Sequence, residues 1–285
     1  MGMRQTNFLT TRQLARMWQV SEATIKRWAD AGHLRSQKTL GGHRRFELAE
    51  VLKFQSARGL EAEHRAGATE AVTHTRQSER LEDFFRAVTS LHEAEASAVL
   101  LNAHLDGWPM LRILEEVIAP ALHRVGDLWH VGEMSVADEH LSTRTATRAI
   151  ETLRATLRVA QVEMPLAICC AVEDELHEIA TLCVQTLLES EGWSVRNMGA
   201  NTPFFALTDA VRKHRPRLIC VSSTSNVSLA RYSRDYAQLQ DIAREFDAHI
   251  ILGGEGFKDE TIRQRFPADL HAENFSSLKE MLQQS

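Results

Sequence analysis

Residues 166–180 read LAICCAVEDELHEIA, an apolar run of strand length that breaks into a charged turn and resumes as the start of a helix. A run without polar alternation suits a strand buried on both faces, which means a parallel sheet covered by helices. The rhythm repeats downstream. WSVRNM at 193–198, RLICVSS at 217–223 and AHIILGG at 248–254 alternate with helical stretches that run through Leu188, start at Pro203 and end near Phe246. Strands and helices in alternation predict a Rossmann-like doubly wound parallel sheet over 163–285. Ligands on such sheets sit at the carboxyl ends of the strands.

That position gives the turn after the first strand its interest, because Glu175 stands two residues before His177. A neutral imidazole can bind a metal through one ring nitrogen while the other donates to a carboxylate, which fixes the tautomer and raises ligand basicity. Taken alone, a histidine at a helix start is more often just that.

Working back from the sheet, residues 81–162 predict a bundle of about four helices, with Leu111, Leu114, Val117, Ile118, Leu122 and Val125 spaced by three and four. Pro109 suits the first turn of that helix. Residues 59–80 are polar, small and without a firm apolar period, so they predict a linker. Before them, Thr10 or Thr11 can cap a helix to Trp18, and Ser21 can cap a second from Glu22 to Ala31 that Gly32 ends. Leu34–Phe46, with Gly41-Gly42 inside it, predicts a hairpin bearing His43, Arg44 and Arg45, followed by a helix from Leu48.

Charge divides the chain in the same place. Residues 1–58 hold eleven Lys and Arg against four Asp and Glu, a balance of +7, so with −5 overall the remainder carries −12. A basic head on an acidic body suggests that one end meets a polyanion. The 285 residues suit two or three domains. No run of about 18 apolar residues could span a bilayer, and MGMRQTNF lacks a signal peptide's apolar stretch, so the expectation is a soluble cytoplasmic protein without a membrane partner. The four cysteines, two of them adjacent at 169 and 170, form neither a disulfide framework nor a metal-type pair and read as reduced, buried small hydrophobes.

The wider spacing after 165 resembles the cobalamin-binding fold of methionine synthase and corrinoid proteins, whose pattern is D-x-H-x-x-G, then S-x-L or S-x-T, then G-G. Here these are Glu175-x-His177-x-x-Ala180, Ser222-Ser223-Thr224 after 41 residues, and Gly253-Gly254 after 28 more, with MGANTP at 198–203 also similar to the family's second strand exit. The resemblance implies that His177 replaces the lower base of cobalamin on cobalt with Glu175 orienting it. It also implies that Ser222 and Thr224 bond the nucleotide tail while Gly253 and Gly254 let the backbone approach it. Glu175 stands for Asp, and Ala180 for Gly, whose extra methyl can crowd the slot.

Trp129, followed after nine residues by Glu139-His140, resembles the helical cap of CarH-type photoreceptors, where these residue types cover the adenosyl group of adenosylcobalamin. The resemblance further implies that His130 takes the upper cobalt position once light has broken the cobalt–carbon bond. The head resembles the MerR-type winged helix, in which Thr24, Lys26 and Arg27 would lie in or beside the major groove. His43, Arg44 and Arg45 would follow phosphates or the minor groove, and Arg12 would anchor the first helix. Trp28 shares a face with Ile25 and reads as packing. The resemblance therefore implies a non-enzymatic transcriptional regulator, a repressor, that binds double-stranded operator DNA as a dark homo-oligomer, a tetramer, and disassembles in light. Two alternatives stand beside it: a corrinoid carrier of a methyltransferase system, which has no need of a basic head, and a regulator of this fold that is cobalamin-independent or uses a bilin or haem, which Ala180 keeps open.

Overall fold

Thr10 starts the head's first helix: its hydroxyl accepts from the Gln13 N–H at 3.2 Å while its own N–H donates to the Gln13 side chain at 2.8 Å. In the computed structural model, which describes residues 8–18, 20–39, 42–47, 50, 51, 53, 54, 70–157, 164–224 and 233–284, the head consists of β1 (Phe8–Thr10), α1 (Thr11–Met17), α2 (Glu22–Asp30), β2 (Gln37–Lys38) and β3 (Arg44–Glu47). Ser21 caps α2 by accepting from the Thr24 N–H at 3.1 Å. The hairpin expected over 34–46 is β2–β3, closed by paired bonds between Thr39 and His43. Its return strand also pairs with β1, a three-residue strand too short to register as a sequence period. Leu14, Ile25, Leu34, Phe46 and Val51 are fully buried, and Trp18, Trp28 and Phe54 pack ring against ring, so Trp28 is a core residue as its spacing implied. Gly41 and much of the helix expected from Leu48 lie outside the described residues, as does the segment 55–69.

Two compact units divide the chain, the first holding the head together with residues 101–108 and the second holding residues 77–100 and 109–285. The helical region is α3 (Glu70–Thr89), α4 (Glu93–Leu105), α5 and α6 (Val136–Arg154), the four helices expected. The linker predicted over 59–80 needs correction, because α3 already begins at Glu70. Its first turns are too polar to show an apolar period, yet nothing in them opposes a helix. In α5, Met110–Ile113 and Ala119–His130 flank a wide π turn at Leu114–Ile118. Pro120 accounts for the turn: without an N–H it cannot continue the ladder to Glu116, and its ring crowds that carbonyl.

The sheet contains β4 (Leu166–Ala171), β5 (Ser194–Asn197), β6 (Leu218–Ser222), β7 (His249–Gly253) and β8 (Leu270–Ala272), all parallel, in the order β5-β4-β6-β7-β8. Helices α7 (Ile179–Ser190), α8 (Phe204–His214), α9 (Ser233–Glu245), α10 (Glu260–Arg265) and α11 (Phe275–Gln284) connect and follow them. Alternate residues of β4 divide between the layers. Ile168, Cys170 and Val172 join a core with Phe204, Tyr236, Phe257 and Phe266, and the Tyr236 hydroxyl donates to the Pro267 carbonyl at 2.6 Å. All four cysteines are buried and free, and burial pushes Cys170 and Cys183 up to about 12, which keeps them as thiols.

Within the larger unit the bundle is tied to the sheet by polar clamps. The Glu115 carboxylate, in the π turn, accepts from the N–H and hydroxyl of Ser276 at 2.8 and 2.7 Å, capping α11 from outside its own chain segment. A carboxylate at a helix start is worth about 1 kcal/mol. Arg154 at the end of α6 donates to both oxygens of Glu189 at 3.1 and 3.2 Å. The chain reverses order between β4 and β6, so the crevice outside their carboxyl ends is where this fold offers a ligand site.

Candidate functional site

Glu175 lies in that crevice and is completely buried. One carboxylate oxygen accepts from the His177 N–H at 2.9 Å and meets His177 Nδ1 at 2.6 Å. The other accepts from the Thr224 N–H, just past β6, at 2.8 Å. One carboxylate thus joins the two loops that flank the reversal point. Because Nδ1 is engaged, Nε2 is the ring nitrogen left to meet a ligand, on a side chain still 55% exposed. The hydrogen bond to Glu175 raises the His177 pKa, burial opposes this, and the charges of Glu175 and Glu139 add to the rise. Protonation competes with metal binding, so a metal on Nε2 is favoured as pH climbs through that elevated pKa.

Glu139 stands in the first turn of α6, and its charge is among those that raise the His177 pKa. Its side chain is largely covered, accepts from the Thr143 hydroxyl at 2.7 Å and pairs with His140 Nδ1 at 2.5 Å. Thr143 was not anticipated, although its position four residues after Glu139 on one helix face was a usable signal. Trp129, His130 and Val131 close α5, where Gly132 at φ +80° turns the chain towards the Ser135 cap of α6. Trp129 is 47% exposed, and Val131, Val136 and Leu141 are exposed as well. Leu176 at 75% and Met198, in the loops after β4 and β5, present further apolar surface. Large apolar side chains left open around a polar centre mark a binding surface.

Ser222 and Thr224 supply the second element. The Ser222 Oγ and Thr224 Oγ1 atoms are buried without a hydrogen-bond partner among the described residues. Such orphans are costly and uncommon unless a ligand or water satisfies them. At Gly254 an added Cβ would come within 2.3 Å of the Ser223 carbonyl oxygen, and its φ is +95°. Its smallness serves the close passage of the β6 and β7 exits. Gly253 is less constrained, its added Cβ meeting Ala272 atoms at 3.4 Å and beyond.

On the head, Lys26, Arg27, His43 and Arg45 are exposed, whereas Arg44 is not available as expected. Its guanidinium is paired with Asp30 and donates to Ser36 at 3.2 Å, with the side chain only 17% exposed, so it braces the hairpin against α2. The Thr24 hydroxyl is engaged with Ser21 at 2.9 Å. Arg12 is exposed and lies 3.5 Å from Glu22.

Three family models match this chain: a helix-turn-helix domain over residues 8–59 and two B12 binding domains over 80–154 and 165–274. The chain thus carries a helix-turn-helix domain followed by two B12 binding domains. Among curated relatives, this chain is 26% identical to the HTH-type transcriptional repressor CarA of Myxococcus xanthus, over 88% of each chain. It is 29% identical to the HTH-type transcriptional repressor CarH of the same organism, over 68% of this chain and 64% of that one, just under two thirds of its length. In fold, its helical and sheet regions are similar to the Methanosarcina barkeri monomethylamine corrinoid protein, with TM-score 0.61, 20% identity and coverage of 72% of this chain and 97% of that one. The B12-binding resemblance read from the sequence is therefore borne out, as is the fold class.

The residues present fit a corrinoid. The single imidazole with its buried carboxylate suits a metal that brings its own equatorial ligands, and among the described residues no group of three His, Cys, Asp or Glu side chains is arranged to hold a bare ion. The orphaned hydroxyls at the β6 exit suit a polar tail entering beside the sheet. Among the described residues, no helix is long and apolar enough to cross a membrane.

Proposed function

We propose that this chain is a light-responsive transcriptional regulator, a repressor, that binds adenosylcobalamin in its larger unit and operator DNA through its head. The observation that carries the reading is the buried Glu175, which holds His177 through Nδ1 and the Thr224 loop through its second oxygen, beside two hydroxyls that have no partner among the described residues. His177 would hold the cobalt of the corrinoid, and Ser222 and Thr224 would receive its nucleotide tail. Trp129, Glu139 and His140 cover the upper face, where an indole excludes water and the two polar groups bond the adenosyl edge. Adenosylcobalamin, when bound, would supply a light-sensitive cobalt–carbon bond, and His130 would be a second imidazole available to the metal. Lys26 and Arg27 meet the major groove while His43 and Arg45 follow the backbone.

A basic head matched by a helix-turn-helix model favours this reading over a corrinoid carrier, although carriers share the fold of the larger unit. The ligand shifts assembly only by its differential affinity for two arrangements, so the adenosyl form promotes a larger oligomer, a tetramer, in darkness. Loaded protein should elute earlier from a sizing column in the dark than after green light and should bind duplex DNA more tightly before illumination. Arg45→Ala should lower the slope of DNA affinity against salt by about one. Identical elution and identical DNA affinity in dark and light would overturn the proposal.

A further inference from the structure

Asn201 lies in the loop after β5 and engages the backbone of the His177 loop twice, at consecutive residues. Its N–H donates to the Glu175 carbonyl at 2.8 Å, and its side-chain oxygen accepts from the Asp174 N–H at 2.9 Å. To reach both it adopts φ +51°, and Asp174 opposite it adopts φ +66°. Both conformations are left-handed, where Asn and Asp are the side chains best tolerated after glycine. The Asn201 segment is itself held: Thr202 donates to the Ala171 carbonyl at 2.9 Å, Ala171 to the Gly199 carbonyl at 2.8 Å, and Val172 bridges Thr202 in parallel. The side chain of Glu175 is pinned at the β6 exit through Thr224, while its main chain is pinned at the β5 exit through Asn201.

We propose that Asn201 is a positioning residue for the axial histidine, fixing where Glu175 stands and through it the placement and tautomer of the His177 ring. The inference rests on the reading of His177 as the cobalt ligand. Three substitutions separate the contributions. Asn201→Gly keeps the left-handed backbone and removes the acceptor, Asn201→Ala removes the acceptor and adds strain, and Asn201→Asp keeps both the acceptor and the tolerated conformation.

The test uses the full chain loaded with hydroxocobalamin and reduced to the Co(II) state, with ¹⁴N- or ¹⁵N-histidine incorporated, so that nitrogen hyperfine splitting reports the fraction of bound cobalt carrying a protein imidazole. Hydrogen exchange of residues 172–178 in the cofactor-free chain is the second readout. In the Ala and Gly variants we expect faster exchange in that segment, a reduced imidazole-ligated fraction and about tenfold weaker cobalamin binding, with the Asp variant close to wild type. A full imidazole-ligated fraction in the Ala and Gly variants would overturn the positioning role, and so would a Gly variant equal to wild type with only Ala impaired. Wild-type protein that binds cobalamin with no imidazole splitting would instead overturn the reading of His177, and this inference with it.

Discussion

His177→Ala is expected to eliminate the spectrum of protein-ligated, base-displaced cobalamin and to weaken cobalamin binding by more than about 100-fold, the upper end of what losing a supporting partner costs. The physical case is local. Glu175 aims one nitrogen of one ring, and the loop from Val172 to Glu178 contains no second imidazole to take its place. Folding should hardly change, because the side chain is half exposed and the residue-177 N–H can still donate to Glu175. Urea unfolding of the cofactor-free variant should match wild type within about 1 kcal/mol. Wild-type spectra and affinity would remove His177 from the metal.

Glu175→Ala is expected to damage both folding and binding. The buried carboxylate serves the N–H of Thr224, the N–H of His177 and the imidazole, and alanine leaves all three without this acceptor. An unsatisfied buried donor costs roughly 1–3 kcal/mol, so the cofactor-free chain should lose about 3 kcal/mol in urea unfolding. Cobalamin affinity should fall about 10 to 100-fold as the ring loses its orientation. Glu175→Gln should recover only part of either loss, since its NH₂ must face a donor at one end whichever way the amide is turned. A stable alanine variant with unaltered cobalamin affinity would show that the carboxylate joins the loops for no functional purpose.

The parallel sheet was legible because its central strands, β4 and β6, are buried on both faces and carry that burial as a nearly uninterrupted apolar run. The pairing of Glu175 with His177 was legible because two residues of spacing and a strand exit place them together. What escaped was set by tertiary partners. Arg44 looked like any basic residue on a hairpin until Asp30 and Ser36 claimed its guanidinium. Gly254 is required by the Ser223 carbonyl, a contact between strands thirty residues apart in sequence. Asn201 adopts a left-handed conformation to meet a loop that precedes it by a strand and a helix, and neither bond leaves a periodic trace. The early start of α3 shows the opposite limit, since a polar helix has no apolar stripe to read.

The measurement that bears most directly on the account is the absorption spectrum of the purified chain incubated with adenosylcobalamin in darkness and recorded again after green light. A bound, base-displaced spectrum is expected in the dark, and green light should convert it to one to which imidazoles of both His177 and His130 would contribute. A dark spectrum identical to the free cofactor, or a bound spectrum that green light leaves unchanged, would contradict it.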